Sequence, residues 1–291
     1  MEAIIWGAGY YGRRAYWPLT ERNINVTAYI DIDDAKAGGN IQGVKVYKPE
    51  EGLKLKHDTV FVAVDEPNAF DVIMDTIKRV GGGKAVIDIV SDYRWFELFD
   101  DRRTYFLKDF AKYIEVNQID GDVAEAGVYR GNFAKYINAY FDEKKVFLFD
   151  TFTGFSEKDI SDEIEHGDEK FINSRFNNVH EFENTSIEHV MKKMKYPQNV
   201  VIKKGYFPDS AGAVDNTFCF VNLDMDLYLP TLGGLRFFYP RLNEGGCILC
   251  HDYFANCLGG VKRAIEQYEN EIGVVIKKTP IGDGCSIALM K

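Results

Sequence analysis

In the run Asp122-Val123-Ala124-Glu125-Ala126-Gly127-Val128-Tyr129-Arg130-Gly131, an acidic residue stands at the end of an apolar segment that delivers two glycines. Small residues let a backbone approach a ligand closely, and the helix expected next presents unpaired N–H groups and the positive end of its dipole. The acid selects the kind of ligand, because Glu125 would repel a pyrophosphate and hold a cation. Asp150 ends the following apolar segment, 25 positions after Glu125, which sets a second carboxylate beside the glycine turn on the adjacent strand. A carboxylate there can accept both hydroxyl protons of a ribose. S-Adenosylmethionine brings a sulfonium, an ammonium and a ribose but no phosphate, and so suits both acids. The plainer alternative for Glu125 is a strand-end carboxylate that caps nearby N–H groups.

A second glycine turn, Gly7-Ala8-Gly9-Tyr10-Tyr11-Gly12, lies near the N-terminus, and Asp31 follows it at about the 20-residue distance of a dinucleotide fold's ribose-binding acid. Only about four strands are expected before residue 90, which is short of a complete dinucleotide fold. The stretch Tyr29-Ile30-Asp31-Ile32-Asp33-Asp34, followed by 38–46, resembles the small N-terminal domain of sugar-modifying acyltransferases, which can hold a nucleotide-sugar. For Gly7, Gly9, Gly12 and Asp31 three readings stay open: a nucleotide-sugar site, a purely structural turn, and an NAD site.

The elements that would position these residues alternate. Apolar runs predict strands over 3–6, 26–30, 59–64 and 85–89, with helices over 10–22 and 67–80. After an aromatic and charged stretch come strands over 122–126, 145–149, 199–203, 218–223 and 247–250, with a helix over 132–140. Segments 273–277 and 285–290 read as a closing antiparallel hairpin. The fold class is α/β, with two Rossmann-like units, the C-terminal one carrying the sheet of class I methyltransferases and its terminal hairpin. Domain limits are expected at 1–91, a helical connector at 92–120, and 121–291.

Four motifs in order carry a family resemblance. Residues 121–131, the segment Leu148-Phe149-Asp150-Thr151-Phe152-Thr153-Gly154-Phe155, the segment Leu223-Asp224-Met225-Asp226-Leu227-Tyr228, and Tyr239-Pro240-Arg241-Leu242 leading to His251-Asp252-Tyr253 together resemble the macrocin O-methyltransferase family. The resemblance covers about residues 105 to 291. It implies an S-adenosylmethionine-dependent, metal-assisted O-methyltransferase acting on a hydroxyl of a sugar, glycoside or nucleotide-sugar. It implies that Glu125, Gly127, Gly131 and Asp150 bind the cofactor, with Thr151, Phe152 and Tyr206 around its adenosine. It also implies a divalent cation, Mg2+ in the first instance, held by Asp224 and Asp252 with Asp226 beside them. A hard cation lowers the pKa of a hydroxyl and fixes two neighbouring oxygens. Asp224 and His251 are the expected catalytic residues. The family commonly has two consecutive acids where this chain has His251-Asp252, so His251 is open to three roles: ligand to a softer metal, proton acceptor, or replacement for metal assistance.

Composition limits the alternatives. The chain has 291 residues and a formal net charge of -10, which argues against nucleic acid as a partner. No apolar run reaches the length of a membrane span, and no signal-like segment opens the chain. A cytoplasmic protein taking a small-molecule, sugar-type acceptor is expected, and a homo-oligomer is compatible with the sequence. The five cysteines are expected to be reduced. Cys247 and Cys250 have the spacing of a zinc or redox pair, but on a strand they face opposite sides. His166, His180 and His189 lie in a polar stretch expected to form a lid or insertion. Two competing functions remain: an NAD-dependent oxidoreductase or epimerase centred on the first turn, which lacks a following Tyr-x-x-x-Lys pattern, and a non-catalytic nucleotide-sugar-binding module.

Overall fold

Ala3, Ile4, Ile5 and Trp6 are apolar without alternation because strand β1 (Glu2–Trp6) is covered on both faces. Ala3 and Ile5 join one hydrophobic cluster, Ile4 and Trp6 another, as successive strand side chains point in opposite directions. This computed structural model describes residues 1–81, 85–99, 101–166, 182–255 and 259–291. Packing divides the chain into two units, Met1–Asp101 and Arg102–Lys291, each with its own sheet.

In the first unit β1 is followed by helix α1 (Tyr10–Glu21), β2 (Asn25–Ile30), β3 (Asn40–Ile41), β4 (Val44–Tyr47), the single turn α2 (Pro49–Gly52), β5 (Thr59–Val62), α3 (Ala69–Val80) and β6 (Ala85–Asp88). The sheet runs β3-β4-β2-β1-β5-β6, parallel throughout except for β3 against β4. Six strands stand where about four were expected. The two extra ones form a hairpin whose turn residues, Gln42 at φ +54° and Gly43 at φ +81°, are both left-handed. Such turns are usually announced by Asn-Gly, and glutamine hides the signal. Helix α3 starts at Ala69 and not at Pro67, because Asn68 takes a left-handed backbone at φ +64°.

The stretch expected as one connector over 92–120 is split. Trp95, Leu98 and Phe99 pack into the first unit's core, whereas helix α4 (Arg102–Val116) belongs to the second, with the Phe110 ring 5.8 Å from that of Phe220. The second unit continues with β7 (Asp122–Ala126), α5 (Ala134–Tyr140), β8 (Val146–Asp150), α6 (Glu157–His166), α7 (Ile187–Lys192), β9 (Val200–Lys204), β10 (Phe218–Leu223), α8 (Tyr228–Phe238), β11 (Leu242–Cys250), α9 (Gly260–Ile272), β12 (Lys277–Pro280) and β13 (Ile287–Met290). Its seven-stranded sheet runs β12-β13-β11-β10-β7-β8-β9, parallel except that β13 runs antiparallel to both β11 and β12. The chain order reverses between β7 and β10, the place where open α/β sheets bind ligands. No helix among the described residues is long and apolar enough to cross a membrane.

Register brings the functional candidates to one edge. Ala126 pairs with Leu223 and with Phe149, and Leu223 pairs with Cys250. The residues just beyond, Gly127, Asp150, Asp224 and His251, therefore share the carboxyl end of the sheet. Beneath them Phe149, Phe207, Phe218 and Phe238 interlock, with Phe238 centroids 5.6 Å from Phe149, 5.4 Å from Phe207 and 5.1 Å from Phe218. Phe238 is fully buried. Phe238→Ala should cost about 3–5 kcal/mol, read as a lower denaturant midpoint for the second unit. A loss under about 1 kcal/mol would mean that the cluster does not carry the core.

Candidate functional site

The turn after β7 is shaped by a glycine that no other residue can replace. Gly127 has φ +87°, and a Cβ there would lie 1.8 Å from the carbonyl oxygen of Asp224 at the end of β10. Asp150 fixes the rest of the turn: its Oδ2 accepts the N–H groups of Val128 at 2.7 Å and Tyr129 at 2.8 Å, and its Oδ1 accepts that of Phe152 at 2.6 Å. A carboxylate has about four acceptor directions, so about one remains free, on Oδ1. Asp150 can take one ribose hydroxyl as it stands; taking both would require it to release an N–H.

A cavity of about 380 Å3 opens above this edge, within the size range of small-molecule sites. Glu125 forms part of its floor and is 1% exposed. Its Oε1 accepts from the Asn222 side chain at 2.9 Å, while its Oε2 is buried without a hydrogen-bond partner among the described residues. Burial pushes the Glu125 carboxyl well above its ordinary range, with the Asp224 charge adding to the effect. The chain thus holds a carboxyl group whose second oxygen calls for a donor from the cavity.

The cavity lining also holds a strongly charged group of residues. Asp224 Oδ2 accepts from Arg103 at 2.8 Å, and its Oδ1 lies 3.0 Å from His251 Nδ1. The same nitrogen is 2.8 Å from Asp252 Oδ2. Burial opposes charge on all three groups, but mutual attraction outweighs it: Asp224 and Asp252 are held below the usual carboxylate range and His251 far above the usual imidazole value. Without ligands the ring therefore carries its proton, and it can accept another group's proton only after that charge is displaced from the two carboxylates. Asp226 and Asp252 adopt left-handed backbones at φ +59° and +58°, strain of the kind stored at functional sites. Carboxylate oxygens of Asp224, Asp226 and Asp252 lie within 4.8 Å of one another, so they fit a hard divalent ion.

The remaining candidates are distributed as follows. Thr151 and Tyr206 line the cavity, and the Tyr206 hydroxyl donates to Asp159 Oδ1 at 2.8 Å. Phe152 is buried and Gly131 lies against Val190, so neither lines the cavity. His166 is exposed on α6, His189 lies on α7, and His180 falls outside the described residues. In the first unit Gly7 at φ +108° and Gly12 are required by the turn itself: a Cβ on Gly12 would meet the Gly7 carbonyl oxygen at 1.8 Å. Gly9 has open space around it. Asp31 accepts the Ala8 N–H at 2.9 Å and pairs with Lys36 at 3.2 Å.

Four contributors were not legible in the motifs. Arg103 lies in the aromatic stretch, Asn222 inside an apolar strand, and Asp159 and Glu163 in a polar insertion. On α6, Asp159 and Glu163 are both buried, and Glu163 accepts the Tyr228 N–H at 3.0 Å and a bond from Arg263 at 3.0 Å. Their four-residue spacing was the available signal, since it places two acids on one helix face.

Residues 96–285 match the family model described as Macrocin-O-methyltransferase (TylF), and residues 1–82 match one described as C2185-like, N-terminal. The chain is 24% identical over 165 residues to demethyldecarbamoylnovobiocin O-methyltransferase of Streptomyces niveus, covering 54% of this chain and 62% of that protein. It is 25% identical over 169 residues to 8-demethyl-8-(2,3-dimethoxy-alpha-L-rhamnosyl)-tetracenomycin-C 4'-O-methyltransferase of Streptomyces olivaceus, covering 54% and 60%. It thus spans less than two thirds of the length of either relative. The solved structure of the O-methyltransferase NovP shares the fold, with a TM-score of 0.54 and 21% identity over 67% of this chain and 81% of that one.

Asp150→Ala should leave three turn N–H groups without their acceptor and cost about 2 kcal/mol or more. Amide exchange at Val128, Tyr129 and Phe152 should accelerate together; unchanged exchange would mean that other contacts hold the turn.

Proposed function

The chain belongs to the macrocin O-methyltransferase family, and from that premise we propose that it methylates a hydroxyl of a sugar, glycoside or nucleotide-sugar with S-adenosylmethionine. The observation that carries this reading is the unpartnered Oε2 of Glu125 on the floor of a cavity edged by Asp150. When bound, the cofactor would supply an electrophilic methyl group, and a divalent ion would supply a positive charge that eases loss of the hydroxyl proton.

The chain's own groups do the rest. Glu125 receives the cofactor's ammonium group, directly or through water, and gives up its proton as it does so. Asp150 orients the ribose through its free acceptor direction. Gly127 lets the turn come close, and Thr151 and Tyr206 shape the adenosine side. Asp224, Asp226 and Asp252 hold the ion, and Asp224 and His251 stand nearest the transferred proton. The Streptomyces olivaceus relative is named for the 4' oxygen of a rhamnosyl-bearing compound, which supports a sugar hydroxyl as acceptor. For the first unit we keep the nucleotide-sugar site at Gly7, Gly9, Gly12 and Asp31. Gly9, which packing does not require, leaves the approach that a phosphate needs.

Calorimetric titration with S-adenosylmethionine tests the central claim, and no heat at saturating cofactor would overturn it. Glu125→Gln should weaken binding about tenfold or more. Because burial raises the Glu125 pKa, cofactor affinity should rise with pH through that pKa and then level off. The heat in two buffers of different ionisation enthalpy should report a released proton, which Glu125→Gln removes. In the first unit, Gly9→Ala should leave thermal stability within about 1 kcal/mol while weakening nucleotide-sugar binding; equal binding would remove that site from the proposal.

A further inference from the structure

The loop between β12 and β13 brings a thiol to the charged edge that no motif announced. Cys285 Sγ donates to Asp252 Oδ1 at 3.4 Å, close to the roughly 3.5 Å that separates oxygen and sulfur on one tetrahedral zinc-type ion. The thiol is held there by its backbone: the Cys285 N–H donates to Asp283 Oδ1 at 2.9 Å, and its carbonyl accepts from Phe254 at 2.9 Å. Donor atoms of His251, Asp252 and Cys285 lie within 4.8 Å of one another, and Asp224 Oδ1 stands 3.0 Å from His251 Nδ1.

Two overlapping donor sets therefore compete at this edge. Asp224, Asp226 and Asp252 offer oxygen alone, as Mg2+ prefers, whereas the second set offers nitrogen, oxygen and sulfur. Imidazole and thiolate raise affinity for ions late in the first transition row and add nothing for Mg2+. The Nδ1 distance to Asp224 Oδ1 is a hydrogen-bond length that needs to open by only a few tenths of an ångström to become a tetrahedral edge.

We propose that His251, Asp252 and Cys285, completed by Asp224, bind a borderline transition-metal ion of the zinc or cobalt class in preference to Mg2+. The donor set stands on its own geometry; its use in catalysis rests on the methyltransferase reading. Loading releases the imidazole and thiol protons. The replacement of one of the family's consecutive acids by His251 then changes which ion is selected and leaves the position of the site unchanged.

Co2+ titration of the chelator-treated protein tests this. The wild-type protein should show a near-ultraviolet sulfur-to-cobalt charge-transfer band together with the strong visible bands of four-coordinate cobalt. Cys285→Ser should lose the charge-transfer band and bind Co2+ about tenfold or more weakly, with unchanged circular dichroism. His251→Asp, which restores two consecutive acids, should lose the strong visible bands and shift preference toward Mg2+. X-ray absorption at the zinc edge of wild-type protein should show a sulfur neighbour, a measurement that needs no variant to fold. Absence of metal binding, a weak six-coordinate spectrum, or affinity indifferent to Cys285→Ser would each overturn the proposal. S-Adenosylmethionine titration of the same samples separates the two claims, since failed cofactor binding counts against the methyltransferase reading and failed sulfur ligation against this one.

Discussion

The approach of Gly127 to the Asp224 carbonyl is the constraint from which the second unit's active edge follows. Parallel pairing of β7 with β10 carries the two strand ends to the same height, and the close contact then requires a residue without a Cβ. Once the turn is seated there, Val128 and Tyr129 point their N–H groups at Asp150, and Glu125 is left on the cavity floor. A larger residue at position 127 would push the turn away from β10 and separate these groups together. The site is thus a consequence of backbone packing before it is one of side-chain chemistry.

Electrostatically the edge has two halves of opposite character. Around Asp224, cationic and anionic groups are matched, with Arg103 and His251 each taking one of its oxygens. Around Glu125 burial and the Asp224 charge outweigh the attraction of Arg103 and the Asn222 hydrogen bond, and favour the neutral acid. A low-dielectric cavity sharpens both effects, since attraction and desolvation grow together as water is excluded.

Much of this was readable in the residue order because the informative features are local. Apolar runs bounded by glycine or acid gave the parallel strands, and the spacing from Glu125 to Asp150 gave adjacent strand ends. What escaped was set by contacts distant in sequence. Arg103 meets Asp224 across 121 positions, and Cys285 meets Asp252 across 33, so neither belongs to a run with a period. The β3–β4 hairpin escaped for another reason, since Gln42 accepts a left-handed backbone that its residue type does not announce. The boundary at Asp101 was obscured because aromatic residues on both sides of it pack, but into different cores. Asp150 was recognised as a ligand-facing acid, yet its service to three backbone N–H groups depends on the curl of the turn, which spacing alone does not reveal.

The unpartnered oxygen of Glu125 also bears on what happens after a turnover. On the proposed assignment this residue recognises an ammonium, and loss of the methyl group leaves that ammonium in place while removing the sulfonium charge. Glu125 therefore grips spent and fresh cofactor alike, and any preference between them has to arise near the sulfur. A site built this way is prone to inhibition by its own by-product. Its sustained rate is then governed by how quickly the spent cofactor departs or is consumed by a separate reaction.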